Sequence, residues 1–309
     1  MTASNIFLGW LIGAPFSRLG NTVNSSAAKK IPPSELLPNQ GASFALDALS
    51  PRPRTPLLKW AGGKRWLVPA LKKLYAPHRT RRLVEPFVGG LAVALGLSPT
   101  QALLCDANVH VINFYEWVRK GLVVDIRLEN SEEYFYEARA RFNQLIAAGE
   151  QDSKEAACLF YYLNRTAFNG LCRFNSKGLF NVPFGKYATI KYITDFQPQA
   201  GLLSNWELVS GDFETLSLKP EDFLYVDPPY DVEFTKYSKD DFTWADQERL
   251  VEWLMKFPGP TVASNQATGR ILKLYQDAGF KVELISAPRR ISCTGDRSPA
   301  TEILAIRNF

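Results

Sequence analysis

The sequence contains few of the residues on which several common kinds of active site depend. It has only two histidines, His78 and His110, so few residues are present that could bind a catalytic zinc ion or serve as the base of a Ser-His-Asp triad. The four cysteines are widely spaced and form no CxxC pair, which predicts reduced thiols in a cytoplasmic protein rather than a disulfide scaffold. No apolar run approaches the roughly 18 residues that a membrane span requires. We therefore expect neither a metal cofactor nor a membrane partner.

Acidic residues are missing from two long segments of the chain. Residues 51–84 hold ten Lys and Arg and residues 164–194 hold five, without one Asp or Glu in either segment. Because the whole chain has a net charge of only +5, the remaining residues are net acidic. Two basic segments on an acidic body favour a polyanionic partner such as nucleic acid. The alternative is an ordinary solvated surface that happens to be basic.

The distribution of residue types predicts two domains and an N-terminal extension. The 309 residues are enough for about two globular domains, but residues 1–55 are rich in Ser, Asn and Pro, and we interpret them as a flexible extension. From residue 56 onward, short apolar runs alternate with helical patterns, which predicts a doubly wound, mostly parallel α/β sheet. Residues 56–110 and 200–309 would form this domain. The helical and hairpin-like stretch 111–199 would be a second domain inserted into it.

The first candidate binding motif is a strand that ends in an acid and a glycine turn. Val84-Glu85-Pro86-Phe87-Val88-Gly89-Gly90 is followed by a helical pattern, and glycine there lets the backbone approach a bound group closely. Asp106 ends the next apolar run, at the spacing at which nucleotide-binding folds place a carboxylate on ribose hydroxyls. The full GxGxxG pattern is absent, so NAD is not favoured, and a simple tight turn is the alternative.

A second glycine-containing motif comes before the first strand. Lys59-Trp60-Ala61-Gly62-Gly63-Lys64 resembles a phosphate-binding P-loop, but Leu58 and Arg65 stand where that motif needs Gly and Ser or Thr. We therefore reject the P-loop interpretation. A Gly-Gly turn between Trp and two Lys could instead hold a carboxylate and stack on a flat group.

The most specific motif is Asp227-Pro228-Pro229-Tyr230, directly after the apolar run 223–226. The two prolines stiffen the strand end and carry no N–H, so the Asp227 carboxylate and the Pro228 carbonyl form a rigid pair of acceptors. The exocyclic amino group of a flat base has two N–H donors to match them, and Tyr230 can stack on the base. Two aligned acceptors help to localise the lone pair of such an amine as it attacks a methyl sulfonium. The alternative is a proline-stiffened loop without chemistry.

Three functions are compatible with these motifs. An amino-group methyltransferase acting on DNA is the first, and one acting on RNA or protein is the second. A DNA-binding module without catalysis is the third, although the intact residues 227–230 argue against it. Methylation of cytosine C5 is excluded, because it needs a nucleophilic Cys that usually follows Pro and no Pro-Cys occurs in the chain.

With these motifs in this order, the chain resembles the Dam-type DNA adenine N6-methyltransferases from Leu57 to its last residue. The resemblance lies in LKWAGGK (58–64), VEPFVGG (84–90), LLCDAN (103–108), LNRTAFNGLCRFNSKGLFNVPFGKY (163–187) and YVDPPY (225–230). It implies a Rossmann-like methyltransferase sheet in which 111–199 is the DNA-recognition domain. Two features depart from the family pattern: Leu91 occupies the last glycine place of the turn, and Thr166-Ala167-Phe168 stands where aromatic and glycine residues are usual.

The resemblance also implies a cofactor, a partner and residue roles. S-adenosylmethionine would be the methyl donor, with Trp60 and Lys64 on its methionine part and Asp106 on its ribose. The other residues implied for its pocket are Glu85, Phe87, Gly89, Asp212 and Asp227. Asp227, Pro228, Pro229 and Tyr230 would be catalytic. Double-stranded DNA, with GATC as the expected target, would be bound through Lys59, Asn169, Arg173, Pro183 and Lys186. One active site that acts on one strand at a time is compatible with a monomer.

Overall fold

The computed structural model describes residues 55–231, 242–288 and 300–309. The predicted extension, residues 1–55, therefore lies outside the described residues except for its last position. Seven strands form one sheet: β1 (Leu83–Glu85), β2 (Ala102–Asp106), β3 (Trp206–Ser210), β4 (Phe223–Val226), β5 (Thr261–Gln266), β6 (Lys281–Ala287) and β7 (Ala300–Arg307). Eight helices accompany them in the described chain: α1 (Val68–Tyr75), α2 (Ala92–Leu97), α3 (Val109–Arg119), α4 (Glu132–Ala147), α5 (Lys154–Thr166), α6 (Gln197–Leu203), α7 (Trp244–Lys256) and α8 (Gly269–Asp277).

The strand order is β3-β2-β1-β4-β5-β7-β6. The pairs formed by β1 to β5 are parallel, whereas β7 runs antiparallel to both β5 and β6. The order reverses between β1 and β4, and open α/β sheets bind ligands at such a switch point, beyond the carboxyl ends of the strands. The predicted α/β sheet is confirmed. This strand arrangement is a Rossmann-like one with an antiparallel β7.

Successive residues of the central strands enter two different hydrophobic clusters. Phe223 and Tyr225 pack into one cluster with α1, α2 and α3, whereas Leu224 and Val226 pack into the other with α7 and α8. Side chains alternate between the faces of a strand, so the two clusters are the two sides of the sheet. The protein is therefore a three-layer sandwich with every central strand buried on both faces.

Strand β3 was not predicted from the sequence. Only Trp206 of this strand is buried, and the other four residues are partly or fully exposed. It lies at the edge of the sheet and pairs with β2 alone, so it lacks the continuous apolar run that indicates a buried parallel strand.

Residues 107–205, between β2 and β3, contain α3 to α6 and an irregular segment with isolated bridges at Ala167–Phe184 and Phe174–Phe180. The helical and hairpin-like character predicted for this stretch is confirmed. Buried residues of α3, α4 and α5, including Phe114, Phe142 and Tyr161, belong to the same hydrophobic cluster as one face of the sheet. The inserted segment is thus built onto the sheet through a continuous core. No helix in the described ranges is long and apolar enough to cross a membrane.

Candidate active site

The carboxyl ends of β1 and β4 place two acidic side chains side by side. Leu83 and Val84 pair with Phe223 and Leu224 in parallel register, so Glu85 ends one strand where Asp227 follows the other. Burial and the nearby Asp227 charge both raise the pKa of Glu85 well above its usual range. The switch point of the sheet thus carries two acidic groups, of which Glu85 is buried and Asp227 is partly exposed.

The Asp227 carboxylate is held through one of its oxygens. Lys64 Nζ lies 3.0 Å from Asp227 Oδ1, and Ser264 Oγ donates to the same oxygen at 2.9 Å. The Tyr225 hydroxyl lies 2.9 Å from Ser264 Oγ. Burial raises the pKa of Asp227, while Lys64 and Ser264 act in the opposite direction. Among the described residues, no hydrogen bond to Oδ2 is found, so this oxygen is available to a substrate.

Lys64 is buried at the centre of the site, with 3% of its surface exposed. Its Nζ donates to Gly62 O at 2.8 Å, lies 4.7 Å from the centre of the Tyr230 ring, and lies 3.8 Å from Glu302 Oε2. A buried ammonium needs such partners, because an isolated charge in the interior is strongly unfavourable. Lys64 therefore sits against the Asp227-to-Tyr230 motif.

The loop after β4 is fixed by buried amide side chains. Gln247 Nε2 in α7 donates to the Pro229 carbonyl at 2.8 Å, and Asn265 Nδ2 in β5 donates to Gln247 Oε1 at 2.9 Å. Two positions after Pro229, Asp231 forms a two-pronged ion pair with Arg270, which also stacks on a Trp ring of α7. Pro229 O is therefore engaged within the protein.

Asp106 ties the glycine turn to the end of β2. Its two carboxylate oxygens accept hydrogen bonds from Gly89 N and Asn108 N, each at 2.9 Å. Burial raises the pKa of Asp106 to about 6. Each oxygen keeps a second lone pair, so the carboxylate can accept further donors.

The glycine turn carries Trp60 on its surface. A Cβ at Gly89, where φ is +45°, would lie 2.5 Å from Trp60 Nε1, and a Cβ at Gly90 would lie 2.8 Å from Trp60 Cβ. Both glycines are therefore required for the indole to pack so closely. Leu91 has a φ of +62°, a left-handed conformation that favours glycine. This conformation gives a physical reason for the family's glycine at the place that Leu91 occupies.

Asp212 is engaged in an ion-pair cluster beside this turn. Arg249 donates to both of its oxygens at 2.8 and 2.9 Å and also binds Glu214 and Asp246. The Arg249 guanidinium lowers the pKa of Asp212. Gly211 N donates to Asp106 O at 3.1 Å, so the loop bearing Asp212 adjoins Asp106.

Phe87, Phe213 and Phe242 form an aromatic cluster on the same side of the site. The ring centres of Phe213 and Phe242 lie 5.7 and 5.6 Å from that of Phe87. The cluster offers flat apolar faces next to the loop that carries Asp212.

The model of D12 class N6 adenine-specific DNA methyltransferases matches residues 60–290. The chain belongs to this family. A DNA N-6-adenine-methyltransferase of Escherichia phage P1 is 35% identical over 269 residues, which are 81% of this chain. The chain spans only 35% of the length of that phage protein.

Two further relatives of this adenine methyltransferase match over nearly their whole length. The type II methyltransferase M1.LlaDCHI of Lactococcus lactis subsp. cremoris is 33% identical and is covered to 94% of its length. The retron Ec67 DNA adenine methylase of Escherichia coli is 34% identical and is covered to 90%. Each alignment includes 81% of this chain. The predicted enzyme class, an adenine-specific DNA methyltransferase, is confirmed.

Membership of a methyltransferase family implies S-adenosylmethionine as the methyl donor, and the residues present fit this molecule. Glu85 is 3% exposed, and its Oε1 atom has no hydrogen-bond partner among the described residues. A buried carboxyl oxygen without a partner is unfavourable, and an ammonium or hydroxyl donor would satisfy it. Asp106 retains acceptor capacity for hydroxyl groups, and the aromatic cluster suits a purine ring. The described residues contain no cluster of His, Cys, Asp or Glu able to hold a metal ion.

Lys59 is embedded between the glycine turn and the inserted segment. Its backbone N and O pair with the Asn164 side-chain amide at 2.8 Å each, and its Nζ donates to Arg165 O at 2.8 Å. The same Nζ lies 3.8 Å from the centre of the Tyr187 ring. Burial, with a smaller contribution from Arg165, lowers the pKa of Lys59 to about 8. In this adenine methyltransferase, Lys59 is thus held against the inserted segment by three hydrogen bonds and by the contact of its Nζ with the Tyr187 ring.

The other residues predicted to bind DNA lie on the hairpin-like part of the inserted segment. Arg173 and Lys186 are exposed, and Arg173 Nε donates to Asn181 Oδ1 at 2.9 Å. Pro183 is also exposed, and its carbonyl accepts Phe168 N at 2.9 Å. Asn169 has a φ of +52° and follows Phe168, whose ring is 47% exposed. Arg173, Pro183 and Lys186 are therefore accessible to a partner.

Several polar residues of the site were missed by the sequence analysis. Ser264 and Asn265 carry a signal that could have been used, because they are polar residues near the end of β5, the strand that pairs with β4. The sequence analysis did not consider these two residues as neighbours of Asp227. The missed residues are Asn164, Tyr225, Gln247, Ser264, Asn265 and Glu302.

Proposed function

We propose that this enzyme methylates the N6 amino group of adenine within GATC in double-stranded DNA, using S-adenosylmethionine. The observation that carries the proposal is the Asp227 carboxylate at the switch point, fixed through Oδ1 by Lys64 and Ser264. Its other oxygen remains available at the position where a substrate amine would bind. The family match supports DNA adenine as the methyl acceptor.

When bound, S-adenosylmethionine supplies an electrophilic methyl group on a sulfonium sulfur. The lone pair of the adenine amine is delocalised into the ring, so the amine is a weak nucleophile. Asp227 Oδ2 and the Pro228 carbonyl accept hydrogen bonds from the two N–H groups of this amine. They thereby favour a geometry in which the lone pair is localised on the nitrogen. Fixed acceptors of this kind stabilise the charge that develops during transfer.

The target base must leave the duplex to reach these acceptors, as base-modifying enzymes require. The Tyr230 ring provides the stacking surface, and Lys64 at 4.7 Å from the ring centre supports it from the protein side. The Pro229 carbonyl is bonded to Gln247, which holds the motif in place. Pro228 and Pro229 therefore contribute rigidity, and Pro228 contributes its carbonyl oxygen.

The cofactor pocket would extend from Glu85 to Asp106 along the carboxyl ends of β1 and β2. Glu85 and Trp60 would contact the methionine part, with Gly89 providing the close backbone approach. Asp106 would accept the ribose hydroxyls. Phe87 and the loop of Asp212 would border the adenine, although Asp212 must share its oxygens with Arg249. We assign Lys64 first to Asp227, and a contact with the methionine part remains a prediction.

The inserted segment would be the DNA-recognition domain. Arg173 is suited to a two-pronged contact with a guanine edge, while Asn169, Pro183 and Lys186 would contact bases or phosphates. Lys59 would contact DNA at the place where the inserted segment adjoins the motif 59–64. The enzyme would act on DNA as a monomer. Light scattering of the enzyme alone and on a single-site duplex tests this stoichiometry.

The test is methyl transfer from labelled S-adenosylmethionine to two matched duplexes, one with GATC and one with a scrambled site, followed by nucleoside analysis. N6-methyladenine in the GATC duplex alone is expected. Label in both duplexes would contradict the GATC assignment but keep the chemistry. Label on RNA or protein but on neither duplex would overturn the proposal. Asp227→Ala should abolish transfer while the fold is retained, as judged by circular dichroism.

A further inference from the structure

The pairing of β4 with β5 places Ser264 next to Asp227. Tyr225 and Val226 pair with Val262 and Ala263, so the next position in each strand brings residue 227 opposite residue 264. Because strand positions two apart share a face, Tyr225 and Asp227 lie on the side of the sheet to which Ser264 also points. Ser264 is completely buried. Its hydroxyl therefore reaches the catalytic motif from within the core.

The direction of the hydrogen bonds in this group follows from the number of protons. Ser264 has one hydroxyl proton, and that proton is donated to Asp227 Oδ1. The Tyr225 hydroxyl, 2.9 Å from Ser264 Oγ, must then donate to Ser264. The result is a directed chain from Tyr225 through Ser264 to Asp227, entirely within the interior, where hydrogen bonds strengthen one another.

We propose that Ser264, supported by Tyr225, is a positioning residue that fixes the rotation of the Asp227 carboxylate so that Oδ2 faces the substrate amine. Lys64 alone does not fix this rotation, because an ammonium on a flexible stem can follow either oxygen. Ser264 is attached to a buried strand and approaches from one side only. This inference rests on the catalytic role proposed for Asp227.

Other charged and titratable groups surround Asp227 and act on the same carboxylate. Those facing it from neighbouring elements are Lys64, Glu85, Tyr225, Tyr230, Tyr275 and Glu302. Ser264→Ala leaves all of them in place, since it removes only the Ser264 hydroxyl.

The experiment measures single-turnover methyl transfer between pH 5 and pH 9 for Ser264→Ala, Tyr225→Phe and Thr261→Val. Because a hydrogen bond to a charged group is among the stronger ones in a protein, Ser264→Ala should slow transfer by about tenfold or more, with the KM for DNA unchanged. Loss of the donor also favours the protonated carboxyl, so the acidic limb of the profile should move to higher pH. Tyr225→Phe should show the same two effects, more weakly.

Thr261→Val is the matched control. Thr261 is a fully buried hydroxyl in the same strand, but it donates to Gly259 O, 3.2 Å away, and does not contact Asp227. Its rate constant and pH profile should stay unchanged relative to the wild type. If the rate constants and pH profiles of all three variants equalled those of the wild type while Asp227→Asn was inactive, the proposed role of Ser264 would be wrong. The proposed role of Asp227 would still stand.

A different outcome would count against the catalytic role of Asp227 itself. If Asp227→Asn kept near-normal turnover, the proposed catalytic role of Asp227 would fail, and the role of Ser264 with it. If Ser264→Ala did not fold, Tyr225→Phe would decide the question, because it removes the supporting donor and keeps the ring. An unchanged profile for a folded Tyr225→Phe would then count against the proposal.

Discussion

Replacing Gly89 by Ala tests whether the turn after β1 must admit the Trp60 indole. Two costs are expected at this position. The left-handed backbone, with φ at +45°, costs an L-residue about 1–2 kcal/mol. The new Cβ would lie 2.5 Å from Trp60 Nε1, and such overpacking costs about 1–3 kcal/mol more. The total loss in the free energy of unfolding is then about 2–5 kcal/mol.

Gly149→Ala is the matched control for this variant. Gly149 has a φ of +75°, but a Cβ there would meet nothing within 4 Å. The Gly149→Ala variant therefore has the backbone cost without the collision. In urea unfolding, its free energy of unfolding should be about 1–3 kcal/mol higher than that of Gly89→Ala. Gly89→Ala should also weaken S-adenosylmethionine binding in calorimetry, whereas Gly149→Ala should not.

A double variant shows where the extra loss arises. With Trp60→Ala, the Cβ at position 89 has no indole to meet, so Gly89→Ala should then cost only about 1–2 kcal/mol. Equal losses for Gly89→Ala and Gly149→Ala, or the same loss with and without Trp60, would refute the packing argument.

Three further predictions concern charged residues away from the switch point. Arg82→Ala should lower the free energy of unfolding, measured by urea titration, by about 3–5 kcal/mol, because Asp222 loses its ion-pair partner and its side chain is only 2% exposed. Lys273→Ala is the control: it breaks an exposed ion pair and should cost less than about 1 kcal/mol in the same titration. Because burial lowers the pKa of Lys59 to about 8 from its ordinary 10.5, the unfolded chain holds this proton more tightly. Wild-type stability should therefore rise between about pH 8 and 10 relative to Lys59→Met, and parallel stability curves would contradict this. Arg173→Ala should reduce discrimination between cognate and one-base-changed duplexes by about 1–3 kcal/mol, and an equal loss of affinity for both duplexes would indicate a phosphate contact instead.

The sequence analysis predicted those parts of the protein that depend on local pattern. Glu85 and Asp227 were recognised because each ends an apolar run, and parallel strands bring such ends to one edge of the sheet. The edge strand β3 was missed because its residues are half exposed. Its position is determined by pairing with β2, which no local pattern of its own sequence reveals.

The supporting contacts of the site could not be predicted in the same way. Ser264 lies 37 positions from Asp227 and Asn164 lies 105 positions from Lys59, and no motif in the sequence marks Ser264 or Asn164 as a partner. Arg82 belongs to a basic segment that suggested a polyanion, yet it is bonded to Asp222, 140 positions away. Which basic residues remain free for a partner is therefore decided by tertiary structure.

The position of β7 has a consequence for the order in which the contacts of the site can form during synthesis. β7 is the last strand in chain order, but it lies between β5 and β6 and brings Glu302 close to Lys64. A growing chain exposes the inserted segment, Asp227 and Ser264 to the cell before the strand that completes their sheet has been made. Until β7 is made, β5 has β4 as its one strand neighbour in the described sheet. The contact of Glu302 with Lys64 can therefore form only once β7 has been synthesised.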